Sequence, residues 1–588
     1  MENVFSCTML AYRNVSLDSQ GIAPLDNTTT TEYDVFGRRS AVVDAEGGRT
    51  EFTYNASGKM LSLKDPVGNV TSYVYDDAGR ILPTRAVTFE KQNIHPSIQS
   101  TKTMKEQSKT TRREFLKTAT LGTGLLIGTG QLGIAQPGSG RGQPQGQRTG
   151  QRGPLPILPE NPSIQHHRNR CRNCGRCRTF CQNTTGVFGH TVPSGEAACI
   201  GCGQCTHYCT RAITEKYDYP AVAQAVADPN KIVVASTAPA IRVALGEMYR
   251  LAPGTNVEGK IVGALKQLGV DHVLDVTFSA DLTIMEEASE LLQRLDGEAK
   301  NLPMFTSCCP AWGWFVHLFY PSLMPHLSTV KSPVTIQGAL VKTYFAQKMG
   351  IDPEKIVHVA LTPCTAKKAE ILFGMNAAGV SHSKPEMQDV DIALTCREIA
   401  YLLNERRVNF LQAQDAPYSS LMGTGSGAGM IFGNTGGVME AALRTAYKLL
   451  NGINPPGEFL DLRSVRGLDG VRQATVDLGE RKLNVAVVHG IARVRPLIEA
   501  IRTGAQKFDF VEVMACPGGC IGGGGQPIVA SANAAQARQL RINALYQRDA
   551  GKEIRLSYDN PQIKAVYDEF LGQPFGEKAK KLLHVARG

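Results

Sequence analysis

From about residue 231 onward the chain alternates between short apolar runs and longer amphipathic ones. The apolar runs are KIVVAST, VDHVLDV, KIVHVAL, VDIALT, LNVAVVHG and FDFVEVMA. Between them lie stretches such as MEEASELLQRL, REIAYLLNERR and VMEAALRTAYKLL, whose apolar residues recur at helical spacing. Strands alternating with helices predict an α/β domain with parallel strands, spanning 230–535 and built as two lobes. Several cysteines fall just after the strand-like runs, where open α/β sheets place their active sites.

Upstream the pattern changes three times. Residues 33–81 carry a repeat: Tyr33, Tyr54 and Tyr75 are evenly spaced, as are Gly37, Gly58 and Gly79, and Asp44 and Asp65 keep the same step. Aromatic and β-branched residues between Asp/Gly turns predict a short β-rich fragment within 1–103. About two repeats are too few to bury much surface. Residues 104–135 begin at Met104, pass through the twin arginines Arg112 and Arg113, and continue as a mildly apolar run to Ala135. That run is too short and too polar for a membrane span. Residues 136–158 are rich in Gly, Pro, Gln and Arg with no apolar period, so they are expected to be a disordered tether.

Composition adds little to this picture until the cysteines are counted. The 588 residues are 42% hydrophobic with a formal charge of +10, much of it in basic runs before residue 180. That distribution describes a basic leader and linker rather than a nucleic-acid surface. The 15 cysteines are odd in number and clustered, unlike a disulfide framework. Cys7 and Cys396 stand outside the clusters and are expected to be incidental or core thiols.

Eight cysteines form two C-x2-C-x2-C-x3-C runs: Cys171, Cys174, Cys177 and Cys181, then Cys199, Cys202, Cys205 and Cys209. Three close thiolates hold three corners of a cubane, and in double motifs the fourth cysteine ligates the other cluster. The expected pairing is therefore Cys171, Cys174 and Cys177 with Cys209, and Cys199, Cys202 and Cys205 with Cys181. Structural zinc is the alternative, disfavoured by two runs of this spacing. Gln182 and Thr210 stand where a proline usually follows the fourth cysteine. Residues 159–225 resemble a bacterial two-cluster ferredoxin, an α+β domain carrying two [4Fe–4S] clusters.

Three further stretches follow: TSCCPAW at 306–312, TPCTAKKAE at 362–370 and EVMACPGGCIGGGGQP at 512–527. In this order, behind a ferredoxin-like domain, they resemble the signature motifs of [FeFe]-hydrogenases. The resemblance runs from about residue 165 to the C-terminus. It implies that Cys309, Cys364, Cys516 and Cys520 ligate the [4Fe–4S] part of an H-cluster. Cys520 then also bridges to a two-iron subcluster with CO, CN⁻ and azadithiolate. It implies that Cys308 passes protons, that Lys367 holds a cyanide ligand and that Met514 packs against the cluster. The family's proton relay, carried over, reads Cys308, Glu287, Ser328, Glu290. Glu287 and Glu290 are three apart and share a helix face, for which an exposed acidic face is the plain alternative. Glu370 ends the second motif, where a solvated helix residue is the plain alternative. The glycines after Cys520 allow close approach of backbone to metal. Neither they nor GTGSGAG at 423–429 is followed by the Lys-Ser/Thr of a phosphate loop. Thr362 stands where the family usually has Met.

The segment 536–588 resembles the small subunit of periplasmic [FeFe]-hydrogenases, fused here and expected to wrap the catalytic domain. Tyr558 replaces a His common in that segment. Residues 104–135 resemble a twin-arginine export signal, and 33–81 resemble the tyrosine-aspartate repeats of Rhs-type proteins. The expected function is reversible oxidation of H2, with electrons relayed through two cubanes to or from a ferredoxin or c-type cytochrome. Expected partners include cytoplasmic cluster-maturation enzymes and the twin-arginine translocase. The expected location is periplasmic, or cytoplasmic if the upstream segment blocks the signal. The alternatives are a non-catalytic iron–sulfur assembly protein and a hydrogen sensor of the same ancestry. Cys308, Lys367 and Glu287 together argue against the assembly protein. The sensor reading is opposed by the retained Cys308 and the lack of an added signalling domain.

Overall fold

A computed structural model describes residues 30–33, 39–43, 49–54, 60–64, 70–72, 155–188, 198–297, 301–372 and 387–587. They fall in two compact units, one within residues 1–124 and one within 125–588. The twin-arginine stretch, Met104, Ala135 and Cys7 lie outside the described residues.

The first unit is an antiparallel meander of β1 (Thr30–Tyr33), β2 (Arg39–Val43), β3 (Arg49–Tyr54), β4 (Met60–Lys64) and β5 (Val70–Ser72), paired in chain order. These are the short strands that the repeat predicts.

The second unit opens with a small α+β element. Strands β6 (Ile164–His166) and β7 (Ile213–Glu215) pair antiparallel around two short helices, Arg176–Phe180 and Gln204–Tyr208. Here one expectation is corrected. Residues 155–158 do not belong to a disordered tether. Leu155 and Ile157 are buried with Cys177, Cys205 and Ile213, and the Leu155 N–H donates to Cys177 Sγ at 3.1 Å. The stretch Leu-Pro-Ile-Leu is apolar enough to be drawn onto that core, whereas the Gly/Gln/Arg run before it is not.

The α/β region holds two four-stranded sheets. Strands β8 (Ile232–Thr237), β9 (His272–Asp275), β11 (Ile356–Thr362) and β12 (Ile392–Thr395) form one, in order β12-β11-β8-β9 and wholly parallel. Strands β10 (Met304–Phe305), β13 (Val471–Asp477), β14 (Lys482–His489) and β15 (Phe510–Met514) form the other, in order β10-β15-β14-β13. The second sheet departs from the all-parallel expectation, because β13 pairs antiparallel with β14. Its sequence, VRQATVD, alternates polar and apolar, as an edge strand wet on one face does. The six continuous apolar runs are the parallel strands, covered on both faces.

Helices fill the space between the sheets. The helix Val276–Leu295 starts at Asp275, whose carboxylate accepts the Thr277 N–H, and is buried along most of its length. The helix Cys396–Glu405 starts in a capping box between Thr395 and Glu398. The C-terminal segment packs onto this body: Ile563, Val566, Leu582 and Leu583 share a core with Phe278, Leu282, Ile336 and Leu340. Among the described residues, no helix is long and apolar enough to cross a membrane.

One buried cation joins the parts. Arg397 donates to both Glu215 carboxylate oxygens at 2.9 and 2.6 Å, to Thr206 Oγ1 at 3.0 Å, and to the carbonyls of Gly524 and Gln526 at 2.9 and 2.8 Å. Burial alone would raise the Glu215 pKa, but Arg397 outweighs it and holds the carboxyl low. Arg397→Met strands Glu215 as an uncompensated buried carboxylate and is expected to cost about 3–5 kcal/mol. Double substitution with Glu215→Leu should recover much of that loss. Chemical denaturation of the three variants checks this; an Arg397→Met chain as stable as the native one would refute it.

Candidate metal centre

Three loops leave the C-terminal ends of strands and meet. Thr306–Cys309 follows β10, Pro363–Thr365 follows β11, and Ala515–Cys520 follows β15. Because β10 and β15 belong to one sheet and β11 to the other, the loops converge between the two lobes. They close a pocket lined by Cys308, Cys309, Cys364, Cys516, Cys520, Met514, Lys367 and Thr362. Most other wall residues are apolar, including Val276, Ala280, Val334 and Phe432. Backbone fit is close: Gly519 has φ +90°, and a Cβ there would lie 2.6 Å from the Thr435 nitrogen.

The thiols of this pocket are electrostatically costly to ionise. Burial pushes Cys364 up to about 12, with the charge of Cys309 adding to it. Burial likewise raises Cys309, Cys516 and Cys520, and for Cys516 and Cys520 neighbouring thiols raise it further. Such a set becomes thiolate when bound cations replace the protons. The arrangement fits a polynuclear cluster rather than one ion. Among the described residues, no three His, Cys, Asp or Glu side chains converge as ligands of a single metal. The cysteines instead surround a volume.

Lys367 is the cation of the wall. Its Nζ lies 2.8 Å from Glu370 Oε2 and donates to the Cys308 carbonyl at 3.2 Å. Burial works to lower the Lys367 pKa, but the Glu370 charge prevails and keeps it raised. Glu370 is therefore a buried partner, not a solvated helix residue. Thr362, also buried, accepts the Cys364 N–H on Oγ1 at 2.9 Å, so its hydroxyl braces the loop that presents Cys364. Met514 is buried at the pocket wall. The neighbouring cysteines part company: Cys309 is the N-cap residue of the helix Pro310–Phe319, while Cys308 feels the charge of Glu287.

The four residues of the expected relay come together. Glu287 is buried; burial first, then the charges of Glu290 and Glu512, push its carboxyl up to about 8. It shares a hydrogen bond with Ser328, and its Oε2 is buried without a hydrogen-bond partner. The Ser328 hydroxyl donates to Glu290 Oε2 at 2.7 Å. Glu290 is ion-paired with Arg294 at 2.6 Å and accepts from the Thr329 N–H and hydroxyl. Sequence reasoning missed Arg294, Thr329, His584 and Arg587. Only the Glu290–Arg294 spacing of four residues carried a local signal. Arg587, two residues beyond Val585, donates from Nε to the Ser328 carbonyl at 3.0 Å.

In the ferredoxin-like region, Cys181, Cys199, Cys202 and Cys205 line one pocket. The charge of Cys181 acts on Cys202 and Cys205, and that of Cys209 acts on Cys177. Each fourth cysteine thus reaches across to the other run. Cys171 is half-buried and Cys174 exposed. Toward the pocket between the lobes, Gly524 packs so tightly that a Cβ there would lie 2.1 Å from the Cys202 carbonyl oxygen. Gln204 Nε2 donates to the Gly522 carbonyl at 2.8 Å, and Thr365 Oγ1 to the Gly201 carbonyl at 2.6 Å. The charge of Cys202 is felt at Cys516. Cys396 is a buried core thiol.

The sequence profile described as iron only hydrogenase large subunit, C-terminal domain, matches residues 231–524. The chain belongs to the iron-only hydrogenase family. The profile of the iron hydrogenase small subunit matches 535–586, and an RHS repeat profile matches 54–91. The chain is 42% identical to the NADP-reducing hydrogenase subunit HndD of Solidesulfovibrio fructosivorans, over 72% of this chain and 74% of that protein. It is 41% identical to the periplasmic [Fe] hydrogenase large subunit of Nitratidesulfovibrio vulgaris, over 62% and 86%. A solved [FeFe]-hydrogenase of Chlamydomonas reinhardtii superposes with a TM-score of 0.54 at 39% identity, covering 62% of this chain and 98% of that one. The family also has a branch named for iron–sulfur assembly: the cytosolic Fe–S cluster assembly factor narfl of Danio rerio is 31% identical over 60% and 85%. Membership makes this chain an iron–sulfur protein of the hydrogenase kind, with the α/β fold of the solved hydrogenases.

The raised pKa of Glu287 has a consequence for stability. The folded carboxyl keeps its proton to about pH 8, while the ordinary value is 4.5. Between these limits the folded state binds more protons than the unfolded one, so the native chain loses stability as pH rises. Glu287→Gln cannot ionise. It should match the native chain near pH 4.5 and exceed it by roughly 3–5 kcal/mol above pH 8. Denaturant unfolding at both pH values checks this; a pH-independent difference would refute it.

Proposed function

We propose that this chain is an [FeFe]-hydrogenase that interconverts H2 with protons and electrons. The observation that carries the reading is the juxtaposition of a Lys367-lined thiol pocket with a buried Cys308–Glu287–Ser328–Glu290 chain. A protein that only carried clusters would have no use for a neutral carboxyl held beside a thiol in the interior.

The residues present fit an H-cluster: Cys309, Cys364, Cys516 and Cys520 would hold it, with Cys520 reaching the two-iron part. When bound, that group supplies the redox-active metal at which H2 is made or split. The chain supplies the rest. Lys367 offers an ammonium in a water-poor wall, suited to an anionic ligand of the cluster. The Cys308 thiol lines the same pocket, is kept protonated by burial and interacts with Glu287. A proton leaving it is received by Glu287, which is poised between its charged and neutral forms near neutral pH. Ser328 accepts from Glu287 and donates to Glu290, and Arg294 fixes the far carboxylate. Burial keeps bulk water off this route.

Electrons would use the ferredoxin-like region. The cross-paired cysteines would hold two [4Fe–4S] clusters, the inner one at Cys202 next to the Cys516 loop and the outer one at the exposed Cys174. Arg168, Arg170, Arg172, Arg176 and Arg211 are exposed around that outer site. They favour a carrier with an acidic face, a ferredoxin rather than a basic cytochrome. The assembly-protein reading is weaker because it gives Cys308, Glu287 and Lys367 no role.

The test is anaerobic expression with cluster-maturation enzymes. The matured chain should carry about 14 irons, counting four per cubane and two more, and evolve H2 from a reduced acidic ferredoxin. Cys308→Ala should keep the iron and lose most turnover, whereas Cys309→Ala should lose the active-site cubane itself. Iron for only two cubanes, or identical behaviour of the two variants, would overturn the assignment.

We further propose export by the twin-arginine route, which carries folded proteins and so preserves clusters built in the cytoplasm. The mature chain would then begin near Gln136 in the periplasm. Expression from Met104, cell fractionation and N-terminal sequencing should find processed periplasmic enzyme, abolished by Arg112→Lys with Arg113→Lys. Unprocessed cytoplasmic enzyme from both forms would refute export alone.

A further inference from the structure

We propose that Thr329 and His584 form a second arm of the buried proton chain, through which Glu290 exchanges its proton with the C-terminal segment. The proposal rests on the proton route above and extends it beyond Glu290.

The geometry is a continuous line of short contacts. Thr329 Oγ1 lies 3.0 Å from Glu290 Oε1 and 2.8 Å from His584 Nδ1. His584 Nε2 lies 2.9 Å from Glu286 Oε2. Glu286 is held in turn by the Tyr567 hydroxyl at 2.5 Å and the Phe575 N–H at 2.8 Å. Glu286 and His584 are buried, while Thr329 is half-buried and so the wettest member of the line.

A hydroxyl carries one hydrogen and so donates in one direction at a time. With Nε2–H donating to Glu286, two arrangements satisfy every contact. In the first, Glu290 is protonated and donates to Thr329 Oγ1, and Thr329 donates to a neutral His584 at Nδ1. In the second, Glu290 is a carboxylate that accepts from Thr329, and an imidazolium His584 donates from Nδ1 to Thr329. They differ by one proton passed from Glu290 Oε1 to Thr329 and one passed from Thr329 to Nδ1. No side chain has to move; only the hydroxyl reverses. Proton and charge balance: Glu290 gains a negative charge and His584 a positive one.

The surroundings favour the second arrangement. Arg294 and Ser328 donate to Glu290 at 2.6 and 2.7 Å, which steadies its carboxylate form. Glu286 faces the imidazolium directly, with Tyr567 behind it. Arg587 is close enough for its charge to interact with Glu290 and Glu287. Phe575 packs edge-on against the imidazole at 5.1 Å. These residues come from the helix Val276–Leu295, from the loop at 328–329 and from the C-terminal segment. The arm therefore exists only where the last residues of the chain are docked.

The test uses the matured full-length enzyme and infrared spectroscopy as a function of pH, with the Glu290 carboxyl band assigned by Glu290→Gln and the imidazole bands by labelled histidine. In the native enzyme the Glu290 carboxyl and His584 ring signals should change together. Thr329→Val should uncouple them and slow turnover about tenfold; Thr329→Ser should restore both. His584→Gln should abolish the ring signal and slow turnover as Thr329→Val does, and the double variant should be no slower than either single one. Cluster content and thermal midpoint of each variant separate a folding defect from a lost relay. Uncoupled signals in the native enzyme, or a Thr329→Val enzyme that keeps native coupling, would overturn the proposal. If Glu287→Gln retained full turnover while the coupling persisted, the proton route above would fall and the Glu290–His584 exchange would stand.

Discussion

The guanidinium of Arg397 sits where three parts of the fold must agree. It grips Glu215 and Thr206 from the ferredoxin-like region, the Gly524 and Gln526 carbonyls from the loop after Cys520, and it is itself the second residue of a helix that follows β12. Buried ion pairs of this kind rarely add net stability over apolar packing of the same volume. What they add is position. A fully desolvated arginine with a fixed fork of donors accepts one arrangement of acceptors and penalises every other. Here that arrangement brings the Cys202 loop against Gly524 with no room for a side chain. The result is a close approach of the two sulfur-lined pockets, and under the proposed function that approach is what electron transfer would require.

The same logic of charge governs the thiol pocket between the lobes. Four thiols raised by burial remain protonated in the bare chain, so metal and proton compete for them and folding prepares a site that only a multivalent cluster completes. Glu370 keeps Lys367 charged in the buried wall. Next to this site Glu287 and Glu290 are pushed apart in character, although they lie one helical turn from each other. Glu290 has Arg294, Ser328 and two Thr329 groups to steady its charge, while Glu287 has burial and two nearby carboxylates opposing it. Two carboxyl groups in unlike environments are how a protein holds a proton at one and passes it to the next.

Much of this was legible in the sequence because it is local. The six continuous apolar runs became parallel strands, the cysteine spacings marked both kinds of pocket, and the three loops fell at strand ends as the fold rule requires. The antiparallel β13 escaped notice because alternation on an edge strand is a weaker signal than an unbroken apolar run. The tether's last residues were assigned by the composition of their neighbours, and only contact with Cys177 reveals that Leu155 and Ile157 belong to the core. Glu370, Thr329, His584 and Arg587 were hidden for a different reason. Their partners are remote in the chain or, for Glu370, depend on which face of a short helix is buried, and no periodicity encodes a contact between residues 290, 329 and 584.

That last contact bears on why the small-subunit-like segment is part of the same chain. Its helices bury Ile563, Val566, Leu582 and Leu583 in the core shared with Phe278 and Ile336, so docking is driven by apolar area. At its end the segment places Arg587 on the Ser328 carbonyl and His584 beside Thr329. Supplied as a separate polypeptide, these two residues would occupy their places only in the fraction of molecules bound. Joined through the helix Ala534–Ala550, docking becomes intramolecular, with an effective concentration in the millimolar range or above. Arg444 and Arg541 pin that connecting helix through Asp549 and Glu247, at 2.8 and 2.6 Å. The segment is therefore held at its apolar face, at its connecting helix and at its terminal charges. The fold can therefore set residues from the far end of the sequence beside Ser328 and Thr329 without leaving their arrival to diffusion.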